Sequence, residues 1–261
     1  ALDNLPQARE AFDRLQALEP DQAPRQIGFL LFQAGYHEEA VPWLVRALKA
    51  PLSDQTGALF DVTTQAILLV GTPEELVELC REMVLRTRAA DPDLAAHVLD
   101  TSVPRLFQVR AYRVAADLLD PVVGADPEAS ADHVEWLSQA LLLAGDTEAA
   151  VRWATRFVAI KGEGAFAIGR RLIERGFVEE ARVFLEQARD EEAGGFRADL
   201  LWGEAMLRLG RWDEAARAIA MALRATDDLE RVIRYVIGLY RDTPRMHDLE
   251  ALLLAEMPRL S

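Results

Sequence analysis

The sequence predicts an all-α fold of stacked antiparallel helix pairs, an α-solenoid, and three recurring features predict it. A glycine suited to a tight turn recurs at Gly35, Gly145, Gly176 and Gly210. Five residues later there is always an alanine: Ala40, Ala150, Ala181 and Ala215. Seven residues before each glycine there is a small residue: Gly28, Ser138, Gly169 and Gly203. Since a large side chain at either small position would force two helices apart, the pattern predicts closely packed helix pairs.

The same turn position recurs along the chain at intervals of 31 to 39 residues, through Asp3, Gly35, Gly71, Arg110, Gly145, Gly176, Gly210 and Pro244. We therefore expect one array over 1–261. Its predicted parts are the second helix of a truncated repeat (1–20), repeats at 21–52 and 57–90, a degenerate repeat at 91–128, repeats at 129–161, 162–193 and 195–227, and a degenerate C-terminal repeat at 228–261. Because the first part lacks its first helix, we expect a fragment of a longer protein.

The clearest repeat combines Ile27-Gly28, the turn from Gly35 to Ala40, Ala47-Leu48 and Pro51. This combination resembles the tetratricopeptide repeat family, whose unit of about 34 residues is helix, turn, helix. The resemblance extends over the whole chain. It implies a right-handed superhelix whose first helices line a concave groove, and a groove that binds a peptide or protein segment.

The resemblance also implies which side chains line that groove. Carried over by the turn positions, they are Arg25, Phe29, Phe32, Gln33, Asp61, Gln65, Asp100, Asp132, Glu135, Gln139, Arg170, Arg197, Glu204, Arg208, Arg231 and Arg234. The series is aromatic and mixed at its start, acidic in the middle and arginine-rich from Arg170 onwards. Solvated faces that differ by chance are one interpretation. The other is a groove that orients a partner, with acidic side chains or a C-terminal carboxylate held at the arginine-rich end.

Composition narrows the classes of partner. The formal net charge is −14, from 43 acidic and 29 basic side chains, which disfavours binding to nucleic acid phosphates. The basic residues are 27 arginines and two lysines, Lys49 and Lys161, and the sole asparagine is Asn4. This bias favours a G+C-rich bacterial source. It also excludes the lysine and asparagine clamp with which tetratricopeptide co-chaperones hold a terminal carboxylate.

The sequence contains no motif that indicates catalysis, a cofactor or a metal. The four histidines, which are His37, His97, His133 and His247, lie in different predicted repeats and are expected at turns or on the surface. The one cysteine, Cys80, lies nine residues after Gly71 and is expected to be buried. No apolar run approaches the roughly 18 residues of a membrane helix. We therefore predict a chain that is not an enzyme, binds no cofactor or metal, and does not insert directly into a membrane.

Three functional hypotheses follow from the sequence. The first is a non-catalytic interaction scaffold that binds a protein segment, as in a bacterial envelope or secretion assembly. The second is the sensing or regulatory array of a larger enzyme or transcription regulator. The third is an array that self-associates through its terminal repeats. Both periplasm and cytoplasm stay open as compartments.

Overall fold

The computed structural model describes residues 5–126, 129–162, 164–190, 195–241 and 243–260, and the regular structure of these ranges is entirely α-helical. The predicted turn position at Asp3 lies outside the described residues. The helices are α1 Leu5–Leu18, α2 Ala23–Gln33, α3 His37–Leu48, α4 Thr56–Val70, α5 Pro73–Arg88, α6 Pro92–Gln108, α7 Tyr112–Ala125, α8 Ala131–Leu143, α9 Thr147–Lys161, α10 Ala165–Glu174, α11 Val178–Asp190, α12 Gly195–Arg208, α13 Trp212–Ala225, α14 Leu229–Arg241 and α15 Met246–Leu260.

The chain forms two compact units, Ala1–Trp153 (unit 1) and Ala154–Ser261 (unit 2). Within unit 1, α2 packs on α3 and α3 packs on α4. Within unit 2, α10 packs on α11, α12 packs on α13, and α11 packs on α12. The predicted fold class, all-α with stacked helix pairs, is confirmed. The predicted repeat boundaries and the single continuous array stay predictions.

The small residues before each turn lie where two helices touch. A Cβ atom at Gly28 would lie 2.7 Å from Leu44 Cδ2, and one at Gly169 would lie 2.6 Å from Leu185 Cδ2. Both leucines are fully buried, so neither can move away freely. At the corresponding place in α8, the Ser138 hydroxyl donates to the carbonyl oxygen of Ala150 over 2.8 Å. The small side chains therefore set the distance within these three pairs.

Five of the predicted turn positions share one backbone conformation. Left-handed φ values occur at Gly35, Gly145, Gly176 and Gly210, and also at Arg110, whose φ is 59°. Gly71 differs, with a φ of −88°. There, residues 71 and 72 alone join α4 to α5, because the Thr72 hydroxyl and the Glu75 carboxylate cap the next helix reciprocally. The turn at Gly71 is thus shorter than the sequence pattern predicts.

Cys80 lies in the core of unit 1, which confirms its predicted burial. Its side chain is fully buried, and burial raises the pKa of the thiol from 9.0 to about 11, opposed by the Ser102 hydroxyl and the charge of Arg105. Burial in turn lowers the pKa of the Arg105 guanidinium. The thiol is therefore a small apolar core group at neutral pH.

Candidate functional site

The first helices of unit 1 carry ten of the predicted groove residues, and those on α2 are partly covered. Phe29 and Phe32 are half-buried, and the Phe32 ring centroid lies 5.0 Å from that of His37. Arg25 donates a hydrogen bond to the side-chain oxygen of Gln55 in the connection before α4, whereas Gln33 is exposed. Each of the two phenylalanine side chains is therefore partly packed against the protein and partly exposed to solvent.

Asp61 on α4 is bound by the next first helix, α6. Its carboxylate accepts a hydrogen bond from the Thr101 hydroxyl at 2.8 Å and lies 3.2 Å from His97 Nε2. Its backbone carbonyl accepts from Arg105 at 3.0 Å. The Asp61 carboxylate is thus engaged within the chain, while Gln65, one turn further along α4, is exposed.

A second bridge joins α6 to α8. The Asp100 carboxylate lies 2.6 Å from Nε2 of His133, whose side chain is only 14% exposed. On α8 itself, the Gln139 amide donates to the Glu135 carboxylate at 2.9 Å, and Asp132 stands exposed at the helix start. Much of the predicted acidic section therefore connects neighbouring helices of unit 1.

In unit 2, three predicted groove residues meet around one open cleft of about 610 Å³ between α10, α12 and α14. We call this the unit 2 cleft. Arg170, Arg197 and Arg231 line it. The remaining lining residues are Phe166, Phe196, Leu200, Leu201, Thr226, Asp227, Asp228, Val232 and Tyr235. The lining of the cleft therefore combines three arginines with aromatic and aliphatic side chains.

The three arginines of the cleft are exposed. Arg170 Nε lies 3.5 Å from the Glu174 carboxylate, in a contact where both side chains are more than half exposed and which is therefore weak. The Arg197 guanidinium lies 5.9 Å from the Phe196 ring centroid. Arg231 stands in the first turn of α14, where its backbone N–H is capped by the Asp228 carboxylate at 3.2 Å. These guanidinium groups are accessible to a ligand.

Glu204 and Arg208, also predicted as groove residues, form a hydrogen-bonded cluster with Tyr235. Glu204 is only 6% exposed, and its carboxylate accepts from Arg208 Nη2 at 2.5 Å and from the Tyr235 hydroxyl. Burial, followed by the hydrogen bond to Glu204, raises the pKa of Tyr235. Arg208 also donates to the carbonyl oxygen of Ile173 on α10 at 3.0 Å. The cluster connects α10, α12 and α14.

Arg234, the last predicted groove residue, is not among the residues that line the cleft. It pairs on the surface of α14 with Glu230, and both side chains are about four-fifths exposed. We therefore assign Arg234 no part in the cleft.

Sequence reasoning missed the aromatic half of the cleft. Phe166 could have been found, because it precedes Gly176 by ten residues just as Arg25 precedes Gly35. Phe196 and Tyr235 occupy positions that the family pattern does not assign to the groove, and no sequence signal marks them. Their contribution depends on how α12 and α14 pack.

In the described ranges, no cluster of three or more His, Cys, Asp or Glu side chains is arranged to hold a metal ion. Likewise, no helix in the described part of the chain combines the length and apolarity needed to cross a membrane.

The helix pairs, the recurrent turns and the small residues between helices define a helical repeat fold, and the predicted resemblance to tetratricopeptide repeats is confirmed at the level of the fold. A chain in the structure of Naa15/Naa10 bound to HypK-THB superposes on 96% of this chain with a TM-score of 0.60 and 17% sequence identity. This chain spans 39% of the length of that chain.

Two further solved structures are less similar. YrrB, described as a TPR protein with an unusual peptide-binding site, matches with a TM-score of 0.42 and 16% identity over 86% of this chain and 97% of YrrB. A tetratricopeptide repeat protein from Parabacteroides merdae ATCC 43184 matches with a TM-score of 0.41 and 13% identity over 90% of this chain and 91% of its own. No family model and no curated protein matches the sequence.

Proposed function

We propose that this chain is a non-catalytic scaffold that binds an acidic segment of a partner protein in the unit 2 cleft. The observation that carries the proposal is the convergence of three exposed arginines and three aromatic rings on one open cleft. Arginine and aromatic side chains are the residues that contribute most binding energy at protein interfaces. Polar and apolar contacts are therefore available to one ligand at the same place.

The charge of the cleft favours a carboxylate ligand. The lining contains three arginines and two aspartates, so basic side chains outnumber acidic ones there, although the chain as a whole has a net charge of −14. One of those aspartates, Asp228, already caps α14. Arginine binds carboxylates with two parallel hydrogen bonds, and a local basic site on an acidic protein orients an incoming acidic segment. Acidic side chains or a C-terminal carboxylate satisfy this requirement.

The occurrence of a similar fold in the solved complex of Naa15/Naa10 bound to HypK-THB supports a role in holding partner proteins together. A bacterial envelope or secretion role, a regulatory role in a larger protein, and self-association through the terminal repeats stay predictions of the sequence. The absence of nucleic acid binding also stays a prediction.

The test measures binding of a fluorescein-labelled peptide, Asp-Glu-Phe-Glu-Asp with an amidated C-terminus, by fluorescence anisotropy. We expect the double substitution Arg197→Glu, Arg231→Glu to weaken binding at least about tenfold, which is about 1.4 kcal/mol. Arg208 is left intact because it binds Glu204 and Ile173.

A matched control carries Arg175→Glu and Arg217→Glu, which change the net charge equally at exposed positions outside the cleft. This control should retain the affinity of the unaltered chain. No binding by the unaltered chain, or equal losses in both double variants, would contradict the proposal.

A further inference from the structure

We infer that Tyr235 selects the partner's anchor residue, and that the segment that fits the unit 2 cleft has an aromatic or aliphatic side chain between acidic ones. This inference rests on the proposed function, since it assumes that a protein segment occupies the cleft.

The hydroxyl and the ring of Tyr235 have different surroundings. Its hydroxyl donates to the Glu204 carboxylate, which is 6% exposed and also accepts from Arg208 at 2.5 Å. The hydroxyl proton is therefore engaged inside unit 2. Yet Tyr235 as a whole is 39% exposed and lines the cleft. What it offers a ligand is the ring, because the hydroxyl is already bound to Glu204.

Four other apolar side chains share the cleft with that ring. Phe166, Phe196, Leu200 and Leu201 line the same cleft, and all four are half-buried. Together with Tyr235 they form an apolar surface on which an aromatic or aliphatic side chain gains free energy by leaving water. A serine or another small polar side chain gains nothing comparable there.

The arginines of the cleft come from three separate helices, Arg170 from α10, Arg197 from α12 and Arg231 from α14. Carboxylates on both sides of an anchor residue offer these guanidinium groups several acceptor groups, whereas a terminal carboxylate offers one. Asp227 shares the lining, so a segment that is acidic throughout would meet repulsion at the start of α14. An internal segment of acidic, apolar, acidic type fits these groups.

The test compares two amidated peptides on the full chain, Asp-Glu-Phe-Glu-Asp and Asp-Glu-Ser-Glu-Asp. We expect the unaltered chain to prefer the phenylalanine peptide about tenfold, the ratio expected for partial burial of one aromatic ring. Tyr235→Ala should reduce this ratio to about threefold or less. Tyr235→Phe, which retains the ring, should preserve it.

The control is Tyr112→Ala, which removes a half-buried tyrosine from unit 1, where its ring contacts Phe107 at 5.5 Å. It should leave the ratio unchanged. If Tyr235→Ala does not fold, Tyr235→Gln replaces it, because glutamine fills much of the same space without an apolar face.

An unchanged ratio in the alanine or glutamine variant would overturn the inference, and so would a ratio lost in Tyr235→Phe. Tighter binding of the serine peptide with a free C-terminal carboxylate than of the amidated phenylalanine peptide would overturn it too. The two proposals fail separately. If binding depends on Arg197 and Arg231 but the peptide preference does not depend on Tyr235, only this inference is refuted. If the substitutions at Arg197 and Arg231 leave the affinity unchanged, the proposed function is refuted.

Discussion

The two units use corresponding helices for different purposes. In unit 1 the carboxylates of Asp61 and Asp100 are held by His97 and His133 of the following first helix. In unit 2 the arginines of the first helices border an open cleft. A position on a first helix therefore does not by itself leave a side chain accessible. The first-helix side chains that we propose for binding are those whose complementary group the next helix does not supply.

The exception inside unit 2 supports the same rule. Glu204 lies on a first helix, but Arg208 and Tyr235 bind its carboxylate, and it is buried. Engaged side chains should affect the free energy of unfolding, whereas exposed cleft side chains should affect binding.

The largest effect should be common to both units, because the helix pairs of both depend on the same close contact. Gly169→Val in unit 2 and Gly28→Val in unit 1 should each lower the free energy of unfolding by about 3 kcal/mol, since the added side chain would overlap buried Leu185 or Leu44. Urea denaturation measures the loss.

The matched control is Gly238→Ala on α14, where an added Cβ meets nothing within 4 Å. This variant should be more stable by about 0.5–1 kcal/mol, because alanine is the better helix former. A large loss in only one unit would show that the pairs are not built alike.

The second-largest effect is a difference between the two units in the pH at which they lose stability under alkaline conditions. The pKa of Cys80 is raised from 9.0 to about 11, so between these values the folded chain keeps a proton that the unfolded chain releases. Stability from this group is therefore complete below pH 9 and declines as pH rises to 11, by about 2 to 3 kcal/mol in total. Hydrogen exchange at each pH should show the earlier loss in unit 1.

Cys80→Ala is the control, and it should remove the decline that begins at pH 9. In unit 2, burial raises the pKa values of Tyr235 and Tyr240 above the ordinary 10.0, so that unit should lose stability only at higher pH. An identical pH profile for Cys80→Ala and the unaltered chain would contradict the assignment.

The smallest effect contrasts a buried partner with an exposed bridge. Arg208→Ala leaves the buried Glu204 carboxylate with one donor fewer and should cost about 1–2 kcal/mol, allowing for the 46% exposure of the Arg208 side chain. Asp100→Asn in unit 1 should cost less than about 1 kcal/mol, because that carboxylate is 56% exposed. Thermal unfolding of both variants measures the difference, and equal losses would remove the distinction.

The packing could be predicted from the sequence because it depends on residues at fixed spacing. Gly28 meets Leu44 and Gly169 meets Leu185, each sixteen residues apart, so one pattern describes both contacts. The short turn at Gly71 escaped the pattern, because it arises from the local capping of α5 by Thr72.

The cleft could be predicted only in part. Charge on the first helices indicated Arg170, Arg197 and Arg231. The burial of Glu204 could not be inferred, because it depends on Tyr235, which lies 31 residues further along the chain and on another helix pair. The contacts between neighbouring pairs join residues 31 to 36 positions apart without one fixed offset, so the repeat spacing alone does not predict which side chains meet.

Glu204 also limits how this protein can be re-engineered. Repeat proteins are commonly recombined as interchangeable modules, each of one helix pair. A transplanted α12–α13 pair would carry the Glu204 carboxylate but not its donor Tyr235, and Arg208 would lose its acceptor at Ile173. A portable block of unit 2 therefore has to include at least the run from α10 to α14.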